Sequence, residues 1–135
     1  MSGLALTVRP GRLAVCRLAE DAEAPAPLPP LGAVVRRGSE LTVVCGEDDA
    51  PAGASSVQGG WRALEVAGPF ELTSVVGVLA SLAAPLADAG VSVFVVSTFD
   101  TDVLLVQEGA LDAAVAALRR AGHSVVVGDD AVPGQ

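Results

Sequence analysis

Two short stretches of the 135-residue chain gather groups that can do chemistry. The first is Leu72-Thr73-Ser74-Val75-Val76-Gly77, two hydroxyls and a glycine ahead of an apolar run. The second is Ser97-Thr98-Phe99-Asp100-Thr101-Asp102, hydroxyls and two carboxylates behind a β-prone run. If the first stretch opens a helix, its leading amides lack intrahelical partners and lie at the positive end of the dipole, which suits a carboxylate. Gly77 lets a ligand approach the backbone closely. The carbonyls and carboxylates around Ser97, Thr98, Asp100 and Asp102 suit an ammonium. A molecule carrying a carboxylate and an ammonium on one carbon needs both kinds of group side by side. Plainer roles compete with this one. Thr73 or Ser74 can simply cap the helix, Asp100 and Asp102 can simply shape a turn, and Gly77 can serve close packing.

The two stretches meet only if the surrounding elements bring a helix start and a strand end to one edge. The second half of the chain has that order. Trp61 to Val66 reads as a strand ended by Gly68-Pro69. Val75, Leu79, Leu82, Leu86 and Ala89 then recur on one face of a helix, with Pro85 inside it and Gly90 at its stop. Val91 to Thr98 and Val103 to Gln107 read as strands around the Phe99–Asp102 turn. Ala110 to Arg120 is a second amphipathic helix with Leu111, Ala114, Val115 and Leu118 inward, Arg119 and Arg120 at its negative end, and Gly122 as its stop. Ser124 to Val127 is the last strand. The order β-α-β-β-α-β is that of an α+β, ferredoxin-like domain, an antiparallel sheet with both helices on one face.

The first half is less regular. Leu4 to Val8, Leu13 to Leu18, Ala33 to Arg37 and Leu41 to Val44 read as strands, separated by the Pro10-Gly11 turn, the acidic Pro-rich segment 22–30 and the Gly38-Ser39-Glu40 turn. Glu47 to Gly60 is the linker candidate. The expected organisation is therefore a small domain over residues 1–58, a second over 59–128 and a flexible tail over 129–135.

Composition narrows the functions. Hydrophobic residues make up 51%, enough to bury a core. Sixteen acidic residues against eight basic ones, all Arg, give a net charge of −8. That field disfavours nucleic acid and anionic membranes as partners. The apolar stretch from Val75 to Val96 is broken by Pro85, Asp88 and Gly90 and reads as helix, turn and strand rather than a membrane span. No secretory leader is evident, so a cytoplasmic setting is expected, with Cys16 and Cys45 reduced although neighbouring strands would let them pair. A single histidine, His123, and two widely spaced cysteines make no metal motif, no cofactor is implied, and no nucleophile–base spacing or phosphate loop is present.

Several of these residues also carry a family likeness. Gly59-Gly60-Trp61-Arg62, the run Gly77-Val78-Leu79-Ala80-Ser81-Leu82-Ala83-Ala84-Pro85-Leu86, Ala89-Gly90-Val91, the block from Ser97 to Asp102 and Leu104-Leu105-Val106 together resemble the ACT domain. That module is a small regulatory domain that binds amino acids. Within it the chain looks most like small bacterial two-ACT proteins related to the arginine-sensing CASTOR proteins, with aspartate kinase regulatory domains more distant. On this resemblance residues 1–58 would be a shortened ACT-like domain. Ligand contacts would come from loop positions Leu72 and Val75, from the backbone of Thr98, and from Asp102 as leading polar partner. Val75 stands where the arginine sensors carry an acidic residue, so a smaller or apolar side chain suits this site better than a guanidinium.

The expectation is a non-catalytic amino-acid-binding regulator. Its ligand would sit between two ACT units, within a chain or between the chains of a homodimer, at Leu72, Thr73, Ser74, Val75, Val76, Gly77, Ser97, Thr98, Asp100 and Asp102. The alternative is a ligand-free module that only dimerises and docks.

Overall fold

The structure, a computed structural model of the chain, describes residues 3–26, 31–70 and 76–128. Eight strands and two α-helices follow in order: β1 (Ala5–Val8), β2 (Leu13–Leu18), β3 (Ala33–Arg37), β4 (Glu40–Gly46), β5 (Ser56–Val66), α1 (Val78–Asp88), β6 (Phe94–Ser97), β7 (Asp102–Gln107), α2 (Leu111–Arg120) and β8 (Ser124–Val127). They form two compact units, Gly11–Trp61 on the one hand and Met1–Pro10 with Arg62–Gln135 on the other. The division falls at Trp61, inside β5, and the N-terminal strand goes with the later unit rather than with its sequence neighbours. The expected tail 129–135 lies outside the described residues.

The later unit has the expected β-α-β-β-α-β order from β5 to β8. Alternate residues of its strands, among them Leu6, Val8, Leu64, Val66, Leu104 and Val106, share one core with Val78, Leu82 and Leu86 of α1 and with Ala114 and Leu118 of α2. Both helices therefore cover the same sheet face. The sheet itself is not wholly antiparallel. β1 pairs antiparallel with β5, Leu6 opposite Val66, and β8 pairs in parallel with β1, Ala5 opposite Ser124 through Val8 opposite Val127. A strand from the start of the chain thus lies between β5 and the final strand.

Helix α1 begins three or four residues later than the hydroxyls suggest. Its N-cap is Gly77, at φ 86°, with no side-chain cap. A left-handed φ there is open to glycine at little cost; the expected cap residues Thr73 and Ser74 lie outside the described residues. The inward stripe moves with the start. It is Val78, Leu82 and Leu86, at i, i+4 and i+8, while Leu79 is exposed and Val75 lies outside the described residues. Both glycine stops are as read. Gly90 and Gly122 have φ 74° and 99°, and the amides after them close back onto the helix, Val91 N–H to the Leu86 carbonyl and His123 N–H to the Leu118 carbonyl.

Pro85 has no amide to offer the carbonyl four residues earlier, which is that of Ser81. His123 supplies the missing donor. Its Nε2 lies 3.0 Å from the Ser81 carbonyl oxygen, and its Nδ1 accepts the Leu4 amide at 3.0 Å. Because Nδ1 accepts, the ring proton is on Nε2. The histidine is 8% exposed, and it joins α1, the end of α2 and the approach to β1.

The other unit is an antiparallel sheet ordered β3, β4, β2 and the first part of β5. Ser56, Val57 and Gln58 pair with Arg17, Cys16 and Val15, so the segment expected to be a linker is partly strand. Serine, glutamine and glycine have little β-preference, and the ladder of β2 decides the matter. The register shifts between Leu13 and Val15, where Gly60 has φ 79° and donates its amide to the Glu47 carboxylate at 3.2 Å. No α-helix occurs among this unit's described residues. Its core, Ala14, Cys16, Leu18, Leu41, Val43 and Cys45, is covered by loop alanines 22, 50 and 54. The loop around Ala22 is held by the Arg36 guanidinium, which donates to the carbonyls of Glu20 and Ala22. Cys16 and Cys45 are free and buried. Burial, with the neighbouring Cys16, pushes the Cys45 thiol up to about 11.

Candidate functional site

The hairpin between β6 and β7 brings four of the candidate residues to one edge of the later unit. Ser97 and Asp102 are its last opposed pair, and the Ser97 hydroxyl donates to Asp102 Oδ1 at 2.8 Å. Thr98 organises the turn. Its amide reaches the Thr101 carbonyl at 2.7 Å, and its hydroxyl donates to that carbonyl at 3.1 Å. The same hydroxyl accepts the amides of Asp100 and Thr101 at 3.3 and 3.1 Å. The turn-shaping role weighed for Asp100 thus falls largely on Thr98.

The hairpin is stitched to the segment that leaves β5 toward α1. Thr101 Oγ1 donates to the Val66 carbonyl at 2.7 Å, and the Phe70 amide donates to the Asp100 carbonyl at 2.7 Å. Gly68 lies so close that a Cβ there would come within 2.9 Å of the Asp100 carbonyl oxygen. Gly68, Phe70 and Thr101 are therefore part of the site's frame. Sequence reasoning reads Gly68 only as a strand stop and Thr101 only as a turn residue. The one available signal is a threonine placed between two aspartates at the strand end.

Of the helix-start candidates, Val76 and Gly77 are described. Val76 is 84% exposed and Gly77 is the N-cap of α1. Leu72, Thr73, Ser74 and Val75 lie outside the described residues. The first turn of α1 carries neither a side-chain cap nor an acidic residue, so nothing of the helix's own neutralises its positive end. The hairpin offers the opposite character, the half-buried carboxylate of Asp102 with one oxygen engaged by Ser97 and the exposed carboxylate of Asp100. The hairpin has the character that an ammonium requires and the helix start the character that a carboxylate requires, and among the described residues of the two no nucleophile is paired with a base. Among the described residues no three His, Cys, Asp or Glu side chains gather as a metal site, and no helix is long and apolar enough to cross a membrane.

Residues 56–120, the stretch from β5 to the end of α2, match the family model of the ACT domain. That stretch is an ACT domain by this match, and the fold is the α+β, ferredoxin-like fold of that domain. Protein Atu0741 from Agobacterium tumefaciens superposes with a TM-score of 0.86 at 31% identity, each chain covered over 96% of its length. The chain belongs to the same family as that protein. A Vibrio cholerae protein, VC0802, described as a possible transport protein, shares the fold at 20% identity, with a TM-score of 0.66 over 89% of this chain and 91% of that one. The regulatory subunit of aspartate kinase from Thermus thermophilus does so at 15% identity, with a TM-score of 0.56 over 89% and 97%. No curated protein sequence matches the chain.

Proposed function

We propose that the protein is a non-catalytic regulator that binds a free amino acid between the β6–β7 hairpin and the start of α1. ACT domains are in general regulatory amino-acid-binding modules. The observation that carries the reading is the stitching of the hairpin to the segment leading to α1, through Thr101, Phe70 and Gly68. It ties a carboxylate-bearing strand end to Gly68 and Phe70, on the stretch of chain that runs on in sequence toward an uncapped helix start. Asp102 receives the ammonium, the leading amides of α1 receive the carboxylate, and Val75 and Leu72 favour a small or apolar side chain. In place of residues 1–58, the unit Gly11–Trp61 acts as a shortened ACT-like partner domain, the setting is the cytoplasm, and the protein works as a homodimer. Ligand binding then favours one arrangement of the assembly by its differential affinity.

Equilibrium dialysis against a pool of the twenty amino acids tests this. The protein should retain one chemical class, and Asp102→Ala should retain none while keeping its circular-dichroism spectrum. Retention of nothing by the wild-type protein, with the dimer intact, would favour the ligand-free docking module instead.

A further inference from the structure

The outer surface of the two helices has a pattern that the amino-acid site does not use. Apart from Ser81 and the terminal Asp88, helix α1 is apolar on every side. Its inward stripe is buried, yet Leu79, Ala80, Ala84 and Ala87 on the other side are exposed and uncharged. A helix with no polar face ordinarily packs on both sides. Ala113 and Ala116 of α2 continue this uncharged surface.

Charge is confined to the ends of the layer. The bond from His123, just past α2, to the carbonyl of Ser81, in the first turn of α1, shows that the two packed helices run antiparallel. Asp88 at the end of α1 and Asp112 at the start of α2 therefore share one end, and Arg119 and Arg120 mark the other. Asp88, Asp112 and Arg120 are exposed and make no ion pair among the described residues. A two-fold axis through the apolar centre, perpendicular to the helices, lays the acidic end of one copy on the basic end of the other. Such an interface is isologous, so the contact of acidic end on basic end is made twice. It also lets two chains of net charge −8 approach on a face where their charges attract.

We propose that the outer face of α1 and α2 is the contact between two copies of this chain, with the helices of one copy antiparallel to those of the other. The contact does not depend on a bound amino acid, and its test is made without one. Sedimentation velocity of the full chain at micromolar concentration should give a dimer of 13.4 kDa subunits. Ala84→Glu places two like charges at the axis and should raise the dimer dissociation constant at least tenfold. Asp88→Arg should raise it several-fold, and adding Arg120→Asp should restore it. Melting curves of each variant confirm that these exposed positions leave the fold intact, and Asp88→Arg carries the test should Ala84→Glu fail to fold. A monomeric wild-type protein, or a dimer as tight in Ala84→Glu or Asp88→Arg as in the wild type, would overturn the proposal.

Discussion

The two units solve the same problem, covering one face of a small sheet, with different material. The later unit lays two helices on its sheet, and its core is built of large side chains such as Leu6, Leu64, Leu82, Leu86, Leu104 and Leu118. The unit Gly11–Trp61 covers its sheet with loops, and the residues facing the core from those loops are alanines. Helices bring long side chains to a sheet at a regular spacing, whereas short loops bring their own backbone close and leave room only for a methyl group. The difference teaches where stability and where adaptability reside. The helix-covered unit carries the candidate site on a hydrogen-bonded hairpin, and the loop-covered unit holds its cover by polar ties such as those of Arg36.

The sharpest test of that contrast is truncation in the two cores. Leu82→Ala and Leu41→Ala both remove a fully buried side chain. In the helix-covered core the surroundings are tied to two helices and relax little, so Leu82→Ala should cost about 4 kcal/mol, toward the upper part of the usual range. Leu41→Ala, beneath adaptable loops, should cost about 2 kcal/mol. Urea unfolding followed by circular dichroism measures both, and equal losses would break the contrast.

The His123 junction comes next. His123→Ala leaves the Leu4 amide and the Ser81 carbonyl without their partner, for an expected loss of about 2 kcal/mol. Pro85→Ala restores an amide that can reach the Ser81 carbonyl. The loss on removing His123 should therefore be smaller in the Pro85→Ala background, a coupling read by the double-mutant cycle.

Gly68→Ala should cost about 1 kcal/mol, because the new methyl forces the Asp100 carbonyl to move. Its larger effect should be on ligand retention, which the same dialysis measures. Retention equal to that of the wild type would remove Gly68 from the site's frame.

The smallest effect is the alkaline one. The folded Cys45 thiol is pushed from 9.0 to about 11. Its contribution to stability is whole below pH 9 and is lost as pH rises toward 11, because the unfolded chain then releases a proton that the folded chain retains. The chain has no tyrosine and no lysine to mask this slope. The urea midpoint should fall between pH 8 and pH 10.5, and by less in Cys45→Ala. An identical slope in that variant would point away from the thiol.

Much of this was legible in local pattern. The strands at Leu13–Leu18, Ala33–Arg37 and Ser124–Val127 and the helix stops at Gly90 and Gly122 follow from alternation and from glycine's access to positive φ. Long-range choices were not legible. The insertion of β1 beside β8 joins residues more than a hundred positions apart, and no periodicity records it. Ser56 to Gly60 became strand through its partner against its own preferences. The start of α1 was misplaced because a hydroxyl cap signal at Thr73 and Ser74 competes with a glycine N-cap that has no side chain to announce it. For the site, residue types marked Ser97, Thr98, Asp100 and Asp102 as one edge. They did not reveal that Thr98 spends its hydroxyl within the turn, or that Thr101 and Gly68 bind the hairpin to the approach of α1.

The central claim is amino-acid binding at that edge, and thermal unfolding tests it most directly. Wild-type protein and Asp102→Ala would be melted side by side with each of the twenty amino acids at millimolar concentration. A ligand present at one hundred times its dissociation constant adds about 2.7 kcal/mol to the folded state. The account predicts a midpoint rise of several degrees in the wild type with amino acids of one class, those with small or apolar side chains, and none in Asp102→Ala. No rise with any amino acid, or an equal rise in the variant, would contradict it.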